Sequence, residues 1–412
     1  MKIVIVGGGI SGIVTALSLA ETGNEVSILE SGSHIGGILR DHEISEQGVW
    51  FRNCQYLNTV DKWATDFISE SAVAWDVFPH HYGSWSDLFG SVHVDPDFAQ
   101  ISVPACKAGV VSGPVHFTSV EDRLNRYPSE LSTPMKAWAR RWGDLDLLAP
   151  ENCEMMQLGR AFFSDDAEST LRQKRESALA DELYGVPRSQ KIPPSLPEAA
   201  ALPRAGWNAV FDSISITLRS KGIGVRLKSP ATPIWDGKRL SVRCRRELIS
   251  SDLIIWCANP NPLVYALGLG PLDSPCSKML NVLFENEGGK SQLPIYWQVF
   301  SEHSSLFRIF SYELKERSCL TVEAFDNGMD TSNLSEIVMR VCRACGLNGA
   351  AQKVAVVPDR RYVLLTNADK RVFQQLEDQS KSLALITGGW GYYGRDRRVR
   401  HVLGSLRDRG VL

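Results

Sequence analysis

Short apolar runs separated by amphipathic stretches give the chain its main pattern, and they predict an α/β fold. The first run, Lys2–Val6, is apolar and β-branched after its lysine, as expected of a strand buried on both faces of a parallel sheet. A helical stretch over about 11–21 follows it. Gly23-Asn24 ends that stretch, and Glu25–Leu29 is predicted as a second strand. The order strand, helix, strand indicates a βαβ unit at the start of the chain.

Three glycines join the first strand to the first helix in the order G-x-G-x-x-G. Gly7 permits a tight turn, Gly9 lets the backbone approach a pyrophosphate, and Gly12 lets the helix pack close to the strand. The positive N-terminus of the helix, with Ile10 and Ser11, then points at the phosphates. This segment is therefore predicted to bind a dinucleotide. The alternative is a plain βαβ unit whose glycines only mark turns.

An acidic residue ends the second strand, at the position where such folds bind the ribose. Glu30, followed by Ser31, lies eighteen residues beyond Gly12. A carboxylate there accepts hydrogen bonds from the two ribose hydroxyls and repels a 2′-phosphate. The predicted ligand is therefore FAD or NAD and not NADP.

A second glycine pair favours FAD over NAD. Gly36-Gly37, followed by Ile38, completes the pattern E-x(5)-G-G that starts at Glu30. This pattern resembles the extended FAD signature of the glutathione-reductase-like flavoproteins, and within them the branch of amine oxidases, protoporphyrinogen oxidases and UDP-galactopyranose mutases. The resemblance implies a loop that passes close to the FAD pyrophosphate and ribityl chain.

The middle of the chain resembles the segment in which those flavoproteins return to the FAD domain. A proline-rich crossing, Pro187–Pro203, leads into Leu202–Trp207, where Ala205 replaces the middle glycine of the family's P-x-G-G pattern. A β-meander follows. The stretch Asp252–Ala258 matches the family's D-x-V-I-x-A return strand.

The end of the chain resembles the segment that lies against the flavin in the same family. Leu383–Thr387 is predicted as a buried strand and is followed by a turn and a helix over about 397–409. The resemblance implies that the turn residues Gly388, Gly389, Trp390 and Tyr393 contact the cofactor. The turn contains no cysteine, so non-covalent FAD is expected. The mutases carry an N-x-x-D-like pair here, whereas this chain has Arg395-Asp396-Arg397-Arg398.

Motifs for one cofactor at both ends and in the middle of the chain predict two interleaved domains. A Rossmann-like FAD domain, with a parallel sheet and a β-meander, is assigned to 1–75, 204–270 and 355–412. A second α+β domain, for substrate, takes 76–203 and 271–354. We expect the substrate in the cleft between them.

One arginine is the candidate substrate-binding residue. Tyr296–Glu323 is strand-like and resembles the mutase pattern x-F-x-R-I, in which Arg308 is carried toward the flavin cleft. Strand alternation predicts that Arg308 shares a face with Leu306 and Phe310 and points away from Phe307 and Ile309. Its loss is then expected to affect turnover and hardly affect folding. A surface salt bridge is the alternative.

Composition narrows the classes of partner. The chain has 412 residues, 43% of them hydrophobic, and a formal net charge of -2, which gives no basic field for nucleic acid. Nine cysteines without metal-ligand spacing predict no metal site and suit a reducing cytoplasm. No apolar run of about 18 residues occurs, so no membrane span is expected. A homodimer is possible.

Three functions remain open. The first is an FAD-dependent oxidoreductase acting on a small biosynthetic metabolite, as in the amine oxidases and protoporphyrinogen oxidases that the chain resembles. The second is an isomerase resembling UDP-galactopyranose mutase, which uses reduced FAD on a nucleotide sugar. The third is a non-catalytic protein that keeps FAD as a prosthetic group.

Overall fold

The computed structural model describes residues 1–53, 55–79, 81–88, 92–94, 101–102, 115–158, 176–183, 199–286, 294–326, 334–344 and 351–412. Most of the predicted crossing 187–203 lies outside these ranges. Its last residues form a strand.

Strands and helices alternate in the first part of the described chain, and long strands dominate the second. The strands are β1 Lys2–Val6, β2 Glu25–Leu29, β3 His42–Ile44, β4 Gly48–Trp50, β5 Leu57–Asn58, β6 Trp75–Pro79, β7 His81–Ser86, β8 Val92–Val94, β9 Ile101–Ser102, β10 Ala199–Pro203, β11 Gly224–Arg226, β12 Ala231–Trp235, β13 Leu240–Cys244, β14 Glu247–Ile249, β15 Leu253–Trp256, β16 Cys276–Asn286, β17 Ile295–Phe300, β18 Leu306–Leu314, β19 Arg317–Phe325, β20 Ala351–Val363 and β21 Leu385–Thr387. The α-helices are α1 Ile10–Leu19, α2 Lys62–Glu70, α3 Val120–Leu124, α4 Ser129–Ala139, α5 Asn152–Met156, α6 Ala178–Leu183, α7 Trp207–Ser220, α8 Asn261–Ala266, α9 Leu334–Ala344, α10 Asn367–Ser382 and α11 Arg395–Asp408.

A five-stranded parallel sheet carries the predicted dinucleotide motif. Its strand order is β11-β2-β1-β15-β21, so strands from the beginning, middle and end of the chain are neighbours. Helices α1, α7 and α11 pack on one face, and the meander β12–β14 with α10 packs on the other. The predicted fold class, a Rossmann-like sheet with a β-meander, is confirmed. All the turns that follow these strands open at one edge, because the strands are parallel.

An eight-stranded mixed sheet forms the second unit, in the order β20-β16-β19-β18-β17-β7-β8-β9. Helix α9 covers one face. The other face meets two hydrophobic clusters. The first, which we call the inner cluster, also contains buried residues of α1 and α7. The second, which we call the helical cluster, contains buried residues of α3 to α6.

Two predicted domain boundaries fall inside strands: the one between 75 and 76 divides β6, Trp75–Pro79, and the one between 354 and 355 divides β20. The third FAD-domain segment was predicted to begin at 355, but Ala351–Val363 pairs with β16 from Asn286 back to Cys276. The predicted boundary therefore falls inside a strand of the large sheet, and backbone pairing keeps that strand in one unit. We propose the end of β20 as this boundary instead.

No helix in the described ranges is both long enough and apolar enough to span a bilayer.

Candidate dinucleotide and substrate site

The glycine loop after β1 is packed so closely that two of its glycines are required by the protein itself. A Cβ on Gly12 would lie 2.0 Å from the carbonyl oxygen of Gly7. Gly7 has a φ of +106°, and a Cβ there would lie 2.9 Å from the backbone nitrogen of Ala258. Gly9 differs, because a Cβ there would meet no described atom within 4 Å. The loop is therefore tightly packed against the protein at Gly7 and Gly12, whereas space remains beside Gly9.

The open side of Gly9 coincides with the N-terminus of α1. Gly9 is the N-cap residue, and no described side chain makes a capping hydrogen bond there. Ile10, Ser11 and Gly12 form the first turn, whose N–H groups lack partners within the helix. Uncapped N–H groups and the helix dipole suit a phosphate. The residues present therefore fit the pyrophosphate of a dinucleotide.

The second glycine pair lies directly against this loop. The N–H of Gly36 donates to the carbonyl of Gly8 at 2.7 Å, and Gly9 and Gly36 form a parallel β-bridge. Gly36 has a φ of +113°, and a Cβ there would lie 2.4 Å from the Phe211 ring. Gly37 has a φ of +57°, and a Cβ there would lie 3.3 Å from the Gly9 Cα. Ile38 follows and is 56% exposed.

The carboxylate of Glu30 lies beside the glycine loop that follows β1 and close to the Gly36-Gly37 pair. Its Oε2 accepts from the Gly8 N–H at 2.7 Å, and its Oε1 accepts from the Gly32 N–H at 2.6 Å and from the Ser31 hydroxyl at 3.2 Å. These contacts orient the side chain at the end of β2. That position and chemistry fit a ribose.

The C-terminal turn, residues 388–394, lies at the same edge of the parallel sheet. It follows β21 directly and packs against the end of β15. A Cβ on Gly388 would lie 2.9 Å from the carbonyl of Trp256, and one on Gly389 would lie 2.9 Å from the His401 ring. The ring of Trp390 packs on Phe373, and Tyr393 packs against the helical cluster. This turn therefore joins the parallel sheet to the second unit.

A row of buried polar side chains crosses the large sheet between the two hydrophobic clusters. Its members face one another in register on β16, β19, β18, β17 and β7, and they are Asn281, Glu323, Arg308, Gln298 and Ser84. We call these five residues the polar row. Because burying polar groups costs free energy unless they are paired, a row of this kind indicates a purpose other than packing.

Arg308 lies at the centre of the polar row and is only 7% exposed, so the surface salt-bridge alternative is wrong. Its Nε donates to the Gln298 side chain at 3.1 Å, its Nη1 to the Tyr362 hydroxyl at 2.8 Å and its Nη2 to the Met155 carbonyl at 3.1 Å. The Tyr362 hydroxyl also donates to Glu323, which links the two charges.

The predicted orientation of Arg308 is only half right. It shares a face with Phe310 and points away from Ile309, as expected. However, the register shifts between Leu306 and Arg308, which places a β-bulge at Phe307. The extra residue turns Leu306 to the opposite face and puts the Phe307 ring 4.4 Å from the guanidinium.

The charge of Arg308 is permanent in this environment. Burial alone would lower the pKa of its guanidinium, but Tyr296, Tyr362 and Glu323 outweigh burial and hold the pKa well above its ordinary value. Arg308 therefore keeps a fixed positive charge between the inner and helical clusters, and Tyr362 links this charge to the Glu323 carboxylate. This charge suits an anionic group.

A second polar network fixes the segment after β4 to the large sheet. Arg52 donates to both carboxylate oxygens of Asp359, at 3.1 and 2.7 Å, and Asn281 donates to the same carboxylate at 3.2 Å. Next to it, burial and the charge of Arg52 lower the pKa of His42 to about 4, so this imidazole is neutral at pH 7. The network therefore holds the segment after β4 against β16 and β20 of the large sheet.

Most of the polar row was not predicted from the sequence, although the sequence contains a signal for it. Asn281 stands in MLNVLF, Gln298 in YWQVF, Arg308 in LFRIF and Glu323 in TVEAF. In each of these segments an amide or charged residue thus stands between two apolar neighbours. A lone polar residue inside an apolar strand could have marked all four.

We predict that Asp41 makes the stability of the fold depend on pH. Its Oδ2 accepts from the Asn208 N–H at 3.0 Å, whereas its buried Oδ1 has no partner among the described residues. Burial raises the pKa of this carboxyl to about 7. A pKa raised by folding favours the folded state at low pH, and this contribution disappears as the pH rises from about 4 through 7.

Asp41→Asn keeps the acceptor and removes the titration. The variant is expected to gain stability relative to wild type as the pH rises from 5 to 8.5, by at most about 3 kcal/mol, because about two pH units separate pH 5 from the folded-state pKa of about 7 and each contributes about 1.4 kcal/mol. Urea unfolding of both proteins across this range measures the difference. Parallel curves for the two proteins would show that Asp41 does not titrate in the folded state.

Comparison with known proteins supports the same architecture. Residues 5–70 match the model of the NAD(P)-binding Rossmann-like domain. A reduced UDP-galactopyranose mutase aligns over 100% of this chain and 94% of its own, with a TM-score of 0.70 and 14% identity. A putrescine oxidase bound to putrescine aligns over 100% of both chains, with a TM-score of 0.61 and 13% identity. Such low identities establish the fold alone.

Sequence similarity extends over a smaller region. The L-amino acid oxidase Lm29 of Lachesis muta is 28% identical over 142 residues, which are 31% of this chain and 26% of that oxidase. The chain thus spans about a quarter of the length of the curated relatives it matches. The predicted resemblance to the amine oxidase and UDP-galactopyranose mutase flavoproteins is confirmed at the level of the fold, and the Rossmann-like dinucleotide site fits FAD.

Proposed function

We propose that this protein is an FAD-dependent oxidoreductase that acts on a small, anionic or oxygen-rich metabolite. The observation that carries the proposal is the convergence of the open glycine Gly9, the pair Gly36-Gly37 and the carboxylate Glu30 at the N-terminus of α1. When bound, FAD supplies hydride acceptance, which no side chain can provide. The chain's own task is to hold the cofactor and to place the substrate.

The proposed substrate position is the seam between the parallel sheet and the polar row. Arg308 would orient an anionic group there through its charge, and the aromatic rings of Tyr296 and Phe310 would exclude water from one side. In a dry seam the attraction between opposite charges is screened less than in water. The predicted domain arrangement supports this position, since the seam lies between the two proposed units.

A second candidate is an isomerase similar to UDP-galactopyranose mutase. The fold of this chain, which aligns over its whole length with a UDP-galactopyranose mutase, is compatible with it. The sequence Arg395-Asp396 in place of an N-x-x-D-like pair counts against it. A non-catalytic FAD protein is the third candidate.

One experiment separates the three candidates. The purified protein should be yellow, and acid should release the flavin as FAD. An anaerobic metabolite screen, read by loss of flavin colour, then identifies an oxidised substrate. Conversion of a nucleotide sugar without net oxidation, and only with reduced protein, would instead support the isomerase. Stable colour with every metabolite would support the non-catalytic reading.

We predict that Glu30→Ala weakens FAD binding by about 1.5–3 kcal/mol, the range for hydrogen bonds to a charged group. Equilibrium titration of the apoprotein with FAD measures this loss. Glu25→Ala is the matched control, because Glu25 lies at the other end of the same strand and forms only an exposed ion pair with Lys2, at 3.8 Å. Equal FAD affinities in the two variants would remove Glu30 from the cofactor site.

A further inference from the structure

A strongly basic surface lies around the β-meander. Residues 226–249 contain seven lysines and arginines against two acidic residues, which gives a net charge of +5, whereas the net charge of the whole chain is -2. All of these charged residues are exposed. The charge of the whole chain therefore conceals a local excess of positive charge.

Contacts between the loop after β11 and the turn between β13 and β14 bring five of these cations together. Nη2 of Arg245 donates to the carbonyl of Lys228 at 2.9 Å, and Arg226 forms an ion pair with Glu247 at 2.6 Å. Arg246 follows Arg245 in the same turn. We call this surface the basic patch, and its members are Arg226, Leu227, Lys228, Arg243, Arg245, Arg246 and Leu248.

Two leucines are exposed within the basic patch. Leu248 is 60% exposed and lies directly opposite Arg243 in the pairing of β13 with β14, so both side chains are on the outer face of the meander. Leu227 is 40% exposed, and the ion pair of Arg226 with Glu247 joins the residues that precede the two leucines. Large apolar side chains are thus exposed among cations.

Most cations of the basic patch lack a counter-charge. Arg226 is paired with Glu247, but the other four have no carboxylate within 4 Å among the residues that the structure describes. Lys228 and Arg245 also have φ angles of +51° and +56°, a backbone conformation that favours glycine. Glycine would adopt both turns with less strain, so the chain carries these two cations at a cost to its backbone.

The basic patch lies away from the C-terminal turn and presents its side chains from a fixed backbone. Four strand spacings of about 4.8 Å, about 19 Å in all, separate β11 from β21. The Lys228 N–H donates to the Gly32 carbonyl and the Ser229 N–H donates to the Glu30 carbonyl, both at 2.8 Å. A partner can therefore bind the patch without covering the turn that follows β21.

We propose that the basic patch binds an anionic phospholipid surface, which makes this protein a peripheral membrane protein. Its cations bind the lipid headgroups, because clustered lysines and arginines are attracted to the negative potential of such a surface. Leu227 and Leu248 enter the boundary between headgroups and acyl chains, while the long cationic side chains stay with the headgroups. A nucleic acid would bind the cations but leave both leucines in water. The proposal does not depend on the proposed redox activity.

The test measures how much of the purified protein sediments with lipid vesicles. At about 0.1 M salt, we expect binding to phosphatidylcholine vesicles that contain about one-third phosphatidylserine, and little binding to vesicles of phosphatidylcholine alone. Binding should fall strongly at about 1 M salt, where the Debye length decreases from about 10 Å to about 3 Å. No binding to the anionic vesicles, or equal binding to both kinds, would overturn the proposal.

Arg243→Gln/Arg246→Gln should bind the anionic vesicles about 25-fold more weakly, at about fivefold for each cation removed. Both side chains are exposed, so the variant should fold like wild type. Arg340→Gln/Arg343→Gln is the matched control, because it removes the same charge from two exposed positions on α9, which covers the large sheet. It should bind like wild type. Equal losses in the two double variants would show an effect of net charge alone and would overturn the proposal.

Leu248→Ser separates a bilayer from an acidic protein as the partner. Because the leucine leaves water only in a bilayer, its loss should weaken vesicle binding about fivefold or more. If Leu248→Ser bound the vesicles like wild type and soluble polyglutamate bound the patch equally well, the partner would be an acidic protein and the proposal would be wrong. Sedimentation is measured by protein content, so a colourless protein would count against the proposed function and leave this test in force.

Discussion

Gly12→Ala is expected to destabilise the fold strongly and, through this, to weaken FAD binding. The new Cβ would lie 2.0 Å from the Gly7 carbonyl oxygen, a distance that no relaxation of a side chain can relieve. Gly7 cannot retreat, because its own backbone is packed against Ala258. Helix α1 would have to separate from β1, the central strand of the parallel sheet. We expect a loss of about 3 kcal/mol or more, at the upper end of overpacking costs, measured by urea unfolding of the apoprotein.

Gly9→Ala provides the matched control in the same loop. Gly9 has a φ of -76°, which alanine adopts without strain, and no described atom lies within 4 Å of the new Cβ. This variant should unfold like wild type yet bind FAD much more weakly, because its methyl group occupies the space assigned to the pyrophosphate. The two variants thus separate folding from binding. Normal FAD affinity in Gly9→Ala would contradict the assignment of the phosphate site.

Arg308→Met is expected to be the most destabilising change in the large sheet, at about 3–5 kcal/mol, the range for breaking a buried charge pair. Removal of the guanidinium would take away the charge that Tyr362 links to Glu323, and it would remove the donors to Gln298 Oε1, the Tyr362 hydroxyl and the Met155 carbonyl. This expectation revises the one drawn from the sequence, in which Arg308 hardly affected folding. Equilibrium unfolding of the flavin-free protein measures the cost without any contribution from the cofactor.

The double variant Arg308→Met/Glu323→Gln should recover part of this loss, because it removes both charges together. Arg204→Ala is the surface control. Its ion pair with Asp76 spans 2.6 Å, but both side chains are about half exposed, and such pairs contribute about 0–1 kcal/mol. If Arg308→Met cost no more than Arg204→Ala, the polar row would not be a buried charge network.

Purely local patterns were enough to predict the first βαβ unit. The predicted strands Lys2–Val6 and Glu25–Leu29 have the bounds seen in the structure, and helix α1 begins one residue earlier than predicted. Short apolar runs and glycines at fixed spacing determine these elements, because each depends on neighbours in the chain. The last strand was predicted from its apolar run, whereas the return strand was predicted from its resemblance to the family's D-x-V-I-x-A pattern. Their common sheet with β1 followed from the shared cofactor motif, and the structure places β15 beside β1 and β21 beside β15.

The site itself needed the tertiary structure. The contact between Gly36 and Gly8 joins two loops, and the polar row needs the register of five strands, which alternation within one strand does not specify. The bulge at Phe307 shows this limit most clearly. The sequence determined that Arg308 lies in an apolar strand, but the pairing with β19 decided which of its neighbours share its face, because one extra residue reverses the alternation.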